Sequence, residues 1–188
     1  PTSTGKFNGA YALDGNSDYI TMGAGGFGSM VGQSDCSFSA WVKTNSVKTR
    51  QIIMADWSHQ GWYSSMNMEV QAGGFFRFGI SGPGMEFADG GTVTTGWHHI
   101  VGTFNDSTKV ITLYVDGVQK DSNTISGSMA TGVTKVIGRA GGSNGLYFDG
   151  SIDEVGVWDR TLSSTEVLNM YNGRKGNYIN QGIYTSQI

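Results

Sequence analysis

The feature that most restricts the possible folds of this chain is a series of short runs in which apolar and polar residues alternate. Turns rich in glycine, asparagine and aspartate separate these runs. The clearest run is CSFSAWVKT at residues 36–44. Successive side chains of a β-strand point to opposite faces of its sheet, so this run predicts a strand with one face in a core. The residues predicted on the core face are Cys36, Phe38, Ala40 and Val42.

Roughly a dozen segments of this kind follow one another, and one helix is predicted. The helix is indicated near the end of the chain, because Ser163 and Glu166 have the spacing of a capping box and Gly173 is placed to end it. So many short strands around one core predict an all-β fold, a sandwich of two antiparallel sheets or jelly roll. The predicted strands are residues 9–14, 18–22, 36–44, 50–57, 65–72, 75–81, 98–104, 109–115, 118–121, 134–140 and 151–159.

The composition excludes several classes of protein. The 188 residues include 30 glycines, 14% charged residues and a single cysteine, and the net charge is −3. The 12 basic residues are scattered, so no surface for a nucleic acid is expected. The lone Cys36 excludes an internal disulfide and a cysteine-based zinc cluster. No stretch approaches the roughly 20 apolar residues of a membrane span.

Four segments of the chain carry a family resemblance. In order and at ordinary spacing they read NGAYALDGNSDYITMG, SFSAWVKT, GWHHIVGTFNDSTKVITLYVDGVQ and YFDGSIDEVGVWDRTLSSTEVLNMYN. Together they resemble the laminin-G-like jelly roll of the concanavalin-A-like lectin and glucanase superfamily. The resemblance implies two curved antiparallel sheets, frequent calcium sites, and binding of carbohydrate or protein at cell surfaces. We therefore assign residues 1–173 to one laminin-G-like domain and residues 174–188 to a C-terminal extension or linker.

The adjacent histidines of the WHH motif, His98 and His99, are predicted to be architectural. On a pleated strand they point to opposite faces, so they cannot act together on one ligand without a bulge. We expect one of them to be hydrogen-bonded at the margin of the core and the other to lie at the surface.

Two acidic turns are candidates for a structural calcium site. Hard cations take several oxygen ligands, and turns rich in aspartate and glycine supply carboxylates and carbonyl groups. In the resembled fold the first and last strands lie side by side, which would bring the two turns together. The alternative is that aspartate stabilises these Asp-Gly turns without a metal. The candidate ligands are Asp14, Asn16 and Asp18 in the first turn, and Asp149 and Asp153 in the second.

Aromatic side chains in two glycine-containing loops are candidates for ligand contact. Sugar rings stack their C–H faces on flat side chains, while amides and carboxylates bind the hydroxyl groups. The alternative for each aromatic residue is a place at the margin of the core. The candidates are Trp57, His59, Trp62 and Tyr63 in the first loop, and Asn144 and Tyr147 in the second.

Catalysis is not indicated by the motifs. A retaining glycosidase of this superfamily carries carboxylates at alternate positions of one strand, so that both face the cleft. No E-x-D-x-x-E motif is present, and the adjacent Asp153 and Glu154 would point to opposite faces. We therefore predict a protein that is not an enzyme, with a glycan-cleaving enzyme as the weakest alternative.

The sequence predicts a non-catalytic carbohydrate-binding or cell-surface adhesion module, located outside the cell, at a cell surface or at a virion surface. Its expected partner is a glycan or another surface ligand. The alternative is a structural or adhesive assembly subunit, such as a virion decoration or fibre protein, that binds identical copies as a homo-oligomer or larger assembly. The extension at 174–188 fits that alternative: it is a linker, an added edge strand or an arm that reaches a neighbouring subunit, and its alternating Tyr178, Ile179, Ile183 and Tyr184 favour an ordered segment.

Overall fold

Two antiparallel sheets and one helix make up the part of the chain that the computed structural model describes, residues 2–7, 9–22, 35–47, 49–56, 66–81, 85–126, 135–140 and 145–173. The predicted all-β sandwich of jelly-roll type is confirmed. The elements in these residues are β1 (Thr2–Thr4), β2 (Gly9–Asp14), β3 (Ile20–Met22), β4 (Cys36–Thr44), β5 (Gln51–Asp56), β6 (Met66–Val70), β7 (Phe75–Ser81), β8 (Met85–Thr92), β9 (His98–Asn105), β10 (Val110–Val115), β11 (Val118–Thr124), β12 (Lys135–Ile137), β13 (Asp149–Trp158) and α1 (Ser164–Tyr171).

The strand order places the first and last parts of the chain next to each other. One sheet has seven strands in the order β1-β2-β13-β4-β9-β10-β11. The other has six strands in the order β3-β12-β5-β6-β7-β8. Because β2 pairs with β13, Asp14 lies directly opposite Asp149. The first and last of the predicted strands, β2 and β13, are therefore neighbours, as the family resemblance implied.

Apolar side chains from the facing sides of the two sheets form the main core. Phe38 and Phe104 of the seven-stranded sheet and Phe76 and Phe78 of the six-stranded sheet are at most 1% exposed. A Cβ atom at Gly102 would overlap the Phe78 ring. Glycine at this position of β9 therefore lets the Phe78 ring fill the space between the sheets.

Strand β4 is buried on both faces, whereas the alternation predicted one core face. Ser37, Ser39 and Trp41 point away from the main core and are still at most 3% exposed. The ring of Tyr171 in α1 stacks on Trp41 with 5.6 Å between ring centroids, and Phe7 meets Trp41 edge-on at 5.8 Å. The prediction of one buried face was wrong because Phe7 and helix α1 cover the outer face of this sheet.

Strands β1 and β8 were not among the predicted segments. β8 reads MEFADGGT, and its paired glycines and acidic residues hide the alternation. Its pairing with β7, in which Ala88 lies opposite Phe78, places Ala88 in the core and makes the segment a strand. The tertiary partner therefore overrides a weak local pattern.

The C-terminal helix begins and ends as the sequence predicts. The Ser163 side chain accepts the N–H of Glu166, and the Glu166 carboxylate accepts the N–H of Ser163 at 2.8 Å, which completes the capping box. Gly173 follows the helix with a φ of 68°, a conformation that glycine adopts without strain. None of the helices in the described residues has the length and apolarity to cross a membrane.

The edge strands β8 and β11 of the two sheets lie side by side. The Asp121 carboxylate of β11 accepts the backbone N–H of Asp89 at 2.9 Å. The Asn123 amide of β11 donates to the backbone carbonyl of Phe87 at 3.2 Å. Side chains of the seven-stranded sheet thus form hydrogen bonds with backbone groups on the outer edge of the six-stranded sheet. These bonds hold the backbone of Phe87 and Asp89 in place.

Candidate ligand-binding site

Most of the residues predicted to contact a ligand lie outside the described residues. These are Trp57, His59, Trp62 and Tyr63, in the connection from β5 to β6, and Asn144. Tyr147 is described; it is half-buried and directly precedes the buried Phe148. The predicted loop site therefore stays a prediction.

The outer face of the six-stranded sheet carries a cluster of charged and aromatic side chains. The core residues of β6 and β7, such as Met68 and Phe78, alternate with residues that point away from the core. Glu69 on β6, Arg77 on β7 and Asp89 on β8 are direct cross-strand neighbours on that outer face. We call this cluster, together with the side chains that contact it, the Arg77 patch: Arg50, Glu69, Phe75, Arg77, Phe87 and Asp89.

The guanidinium group of Arg77 is held on several sides. Its Nε and Nη2 atoms donate to the two oxygens of Asp89, each at 2.6 Å. Its central carbon lies 4.2 Å from the centroid of the Phe87 ring and 5.7 Å from that of Phe75. The hydrogen bonds to Asp89 raise the pKa of Arg77, so the group stays charged. A paired carboxylate and two rings thus fix the position of this cation.

Glu69 is the buried member of the patch. Its side chain is 0% exposed, and its Oε2 accepts from Nε of Arg50 at 2.8 Å, while its Oε1 accepts from the Gln71 amide at 2.5 Å. Burial raises the pKa of Glu69, and the Arg50 guanidinium opposes that shift. Arg50 itself is 37% exposed. The Arg50–Glu69 pair therefore forms a partly buried border beside the more exposed Arg77–Asp89 pair.

An apolar segment covers the neighbouring part of the same sheet face. Ile52 of β5 and Val136 of β12 are buried, and Ala140 and Leu146 pack against them. The N–H of Ile52 also donates to the carbonyl of Leu146 at 3.3 Å. The covered side of the face is therefore apolar, and the polar Arg77 patch lies beside it on β6, β7 and β8.

The residues of the Arg77 patch are not marked as a group in the sequence. Glu69, Arg77 and Asp89 are 8 and 12 residues apart and form no motif. A signal exists for two of them, since Glu69 and Arg77 occupy the polar positions of alternating runs and are therefore predicted to leave the core. Which polar residues face one another depends on strand register, and the register was not predictable.

The two acidic turns meet, as the calcium prediction requires, but the first turn is already stabilised internally. One oxygen of Asp14 accepts the N–H groups of Asn16 and Ser17 at 2.9 Å and of Asp18 at 3.1 Å. These hydrogen bonds, with that of Ser17 the strongest, hold the pKa of Asp14 well below its usual range. The side-chain amide of Asn16 donates to the Asp14 carbonyl at 3.1 Å. Hydrogen bonds of this kind stabilise an Asp-Gly turn whether or not a cation binds.

The two acidic residues of the second turn have different surroundings. Asp149 lies opposite Asp14 and accepts the Asn45 amide at 2.9 Å. Asp153 is four residues further along β13, about 13 Å at strand spacing, and accepts the N–H groups of Lys6 at 2.8 Å and Phe7 at 3.2 Å. Within the described ranges, no group of three or more His, Cys, Asp or Glu side chains is placed to hold a metal. The full predicted ligand set is not brought together, and calcium binding stays a prediction.

The two adjacent histidines point to opposite faces of β9, as predicted. The ring of His98 lies 5.4 Å from the core residue Phe76, and its Nδ1 contacts the Asp116 carboxylate at 2.8 Å. The ring of His99 lies 5.1 Å from Trp41 on the other face, and it is buried. The expectation of a histidine at the surface was wrong for His99, because helix α1 covers that face.

The hydrogen bonds of His98 form a clamp at the start of β9. Its Nε2 lies 2.8 Å from the Thr94 hydroxyl and accepts the Thr94 N–H at 3.2 Å, while Nδ1 faces Asp116. The order hydroxyl, imidazole, carboxylate also occurs in hydrolases. Here the Thr94 hydroxyl also accepts the N–H of Gly96. The hydrogen bonds of Thr94 therefore stabilise the turn that leads into β9.

The two-sheet antiparallel sandwich is the architecture of jelly-roll domains. A laminin-G family model, described as the concanavalin A-like lectin/glucanases superfamily, matches residues 14–168. The chain therefore belongs to this superfamily. No match was found among curated protein sequences.

Solved structures of carbohydrate-binding and laminin domains share the fold. The CBM40 of the Ruminococcus gnavus IT-sialidase, bound to α2,3-sialyllactose, has a TM-score of 0.68 and 13% identity, over 86% of this chain and 97% of that one. Domain 4 of AbnA, a GH43 extracellular arabinanase from Geobacillus stearothermophilus, in complex with arabinotriose, has a TM-score of 0.64 and 18% identity, over 90% and 80%. Domains LG4-5 of the mouse laminin α1 chain have a TM-score of 0.63 and 16% identity, over 82% and 44%. At these identities the likeness establishes the fold alone.

Proposed function

We propose that this protein is a non-catalytic carbohydrate-binding module that holds a sugar at the Arg77 patch. The observation that supports the proposal is the Arg77–Asp89 pair, a charged donor and acceptor side by side on an outer sheet face, with the rings of Phe75 and Phe87 next to Arg77. Sugar sites combine these elements, because hydroxyl groups need donors and acceptors while the C–H faces of the ring need apolar contact.

Hydrogen bonds within the protein hold the groups of the patch in place, which favours binding. Arg77 is held by Asp89, and the backbone of Asp89 is held in turn by the Asp121 side chain of β11. Asn123 fixes the backbone of Phe87 in the same way. Groups that are already ordered lose less conformational entropy when a ligand binds, so more of the interaction energy appears as affinity.

The predicted loop contacts extend this proposal. The connection at 57–65 joins β5 to β6, the strand that carries Glu69, and Tyr147 follows the Leu146 that packs on β5. We propose that Trp57, His59, Trp62, Tyr63, Asn144 and Tyr147 also contact the ligand.

The surroundings of the carboxylates support binding rather than glycan cleavage. Glu69 and Asp89 are two strand spacings apart, about 10 Å, close to the separation in inverting glycosidases. A general acid must reach the glycosidic oxygen, but Glu69 is 0% exposed and is bonded to Arg50 and Gln71. Asp89 is likewise bonded to Arg77. Neither carboxylate is arranged to transfer a proton to a bound sugar.

A glycan-array experiment tests the proposed site. The protein, its Arg77→Ala variant and a Lys43→Ala variant are compared on the same array. Lys43 is exposed on β4 of the other sheet, so its loss is the matched control for removing a surface cation. We expect the protein and the control to bind the same glycans and Arg77→Ala to lose at least about tenfold in affinity, because a charged hydrogen-bonding group is removed. Equal binding by all three proteins would remove the patch from consideration.

A calcium ion shared by Asp14 and Asp149 remains a proposal, and it has a separate test. Asp14 and Asp149 are directly opposed residues of β2 and β13, and like charges in such positions destabilise a sheet unless a cation lies between them. Calcium at 100 times its dissociation constant would stabilise the fold by about 2.7 kcal/mol. We expect the midpoint temperature of unfolding to rise when calcium is added and to return to its original value with a chelator. The rise should be smaller in an Asp149→Asn variant. No calcium response in either protein would exclude the site.

We also propose that the protein acts outside the cell. The support is its membership of a superfamily with laminin domains, and its fold likeness to a domain of an arabinanase described as extracellular. Immunodetection of the protein in culture medium and in washed cells tests this, and retention entirely inside intact cells would contradict it.

A further inference from the structure

The charges of the Arg77 patch cancel in two close pairs. Arg50 is paired with Glu69 at 2.8 Å, and Arg77 is paired with Asp89 at 2.6 Å. The four charges sum to zero, and the whole chain has a net charge of −3. An anionic group that approaches either guanidinium therefore meets a carboxylate already bound to it. The patch offers such an anion little net attraction.

The more exposed pair still has hydrogen-bonding capacity. Arg77 uses Nε and Nη2 for Asp89, which leaves Nη1 as a donor, and each Asp89 oxygen has a further lone pair. The side chains of Arg77 and Asp89 are 22% and 38% exposed, whereas Glu69 is 0% exposed. A neighbouring donor and acceptor complement two adjacent hydroxyl groups, each of which can both donate and accept.

We infer that the Arg77 patch selects neutral glycans through a pair of adjacent hydroxyl groups, and discriminates against glycans whose recognition depends on a carboxylate or sulfate group. This inference rests on the proposed function, and it names the ligand class of the same site. Binding of a neutral ligand to a charge-balanced site releases few ions, so affinity depends little on salt.

The experiment uses an array of neutral oligosaccharides together with their sulfated and uronic-acid counterparts, at salt concentrations from about 50 mM to about 500 mM, where screening of exposed charges is strong. We expect the neutral members to bind best, with less than about a twofold change in affinity across the salt range. Stronger binding of the sulfated or uronic-acid members, weakened by salt, would overturn the inference and leave the proposed function standing. No binding to any member would overturn both.

An Asp89→Asn variant supplies a second readout. It keeps the shape of the side chain and removes the charge that balances Arg77. We expect affinity for the best neutral glycan to fall about tenfold and binding of the sulfated counterpart to increase, because the guanidinium is then uncompensated. An Asp159→Asn variant, changed at an exposed residue after β13, is the charge-matched control. If a folded Asp89→Asn protein keeps the same preference for neutral over sulfated glycans, the inference is contradicted. If the variant does not fold, the salt series on the unmodified protein tests the inference.

Discussion

His99 illustrates how far the surroundings of one residue can change its chemistry. Burial lowers the pKa of His99 from its ordinary value of 6.5 to about 4, and the nearby Asp116 carboxylate only partly opposes the shift. The ring packs beside the stacked rings of Trp41 and Tyr171, and its Nδ1 has no hydrogen-bond partner. The imidazole is therefore neutral in the folded protein at physiological pH.

This depressed pKa predicts a loss of stability in mild acid. The unfolded chain takes up a proton on His99 near pH 6.5 and the folded chain only near pH 4, so stability decreases as the pH falls through this window. The expected loss between about pH 7.5 and about pH 5 is roughly 2 kcal/mol. Denaturant unfolding at several pH values measures it, and a His99→Phe variant, which keeps an aromatic ring, should lose this dependence.

The comparison of these two proteins also has a contrary outcome. If His99→Phe and the unmodified protein show equal slopes between those pH values, His99 does not titrate with the lowered pKa.

At the scale of elements, helix α1 packs against the outer face of the seven-stranded sheet. Val167 is buried beside Tyr114 and Trp158 of the seven-stranded sheet, and Tyr171 stacks on Trp41. The helix has eight residues, too short to be stable in water without packing and caps. The capping box at Ser163 and Glu166 is therefore expected to contribute to the stability of the whole domain.

The Ser163→Ala substitution tests the contribution of this cap. It removes the acceptor for the Glu166 N–H, and we expect the free energy of unfolding to fall by about 1 kcal/mol. Ser164, the next residue, is exposed and outside the capping box, so Ser164→Ala should change stability by less than about 0.5 kcal/mol. Chemical denaturation of both variants measures the difference, and equal effects would show that the cap is not the cause.

At the scale of the whole molecule, the edges of the sheets decide how copies of the chain can associate. The edges formed by β8 and β11 face each other and are joined through Asp121 and Asn123. The opposite edges are β1 and β3, which have only three residues each. Closed or short edges offer little template for another strand.

We therefore predict a monomer, in line with a binding module rather than an assembly subunit. Light scattering coupled to size exclusion should give the mass of one chain, and a chain of residues 1–173 should behave in the same way. An ordered oligomer that dissociates when residues 174–188 are removed would instead favour the structural or adhesive subunit.

The sequence alone determined the class of fold, because strand alternation, turn residues and the capping box act over a few residues and leave local patterns. It therefore predicted β4, the helix at Ser163 and the opposite faces of His98 and His99. Only the tertiary structure decided which side chains meet: Glu69, Arg77 and Asp89 converge through the register of three strands, and His99 is buried by a helix some 70 residues away in the chain. Strand register and the packing of distant segments depend on the free energy of the whole core. A pattern of a few neighbouring residues carries no information about contacts between distant segments.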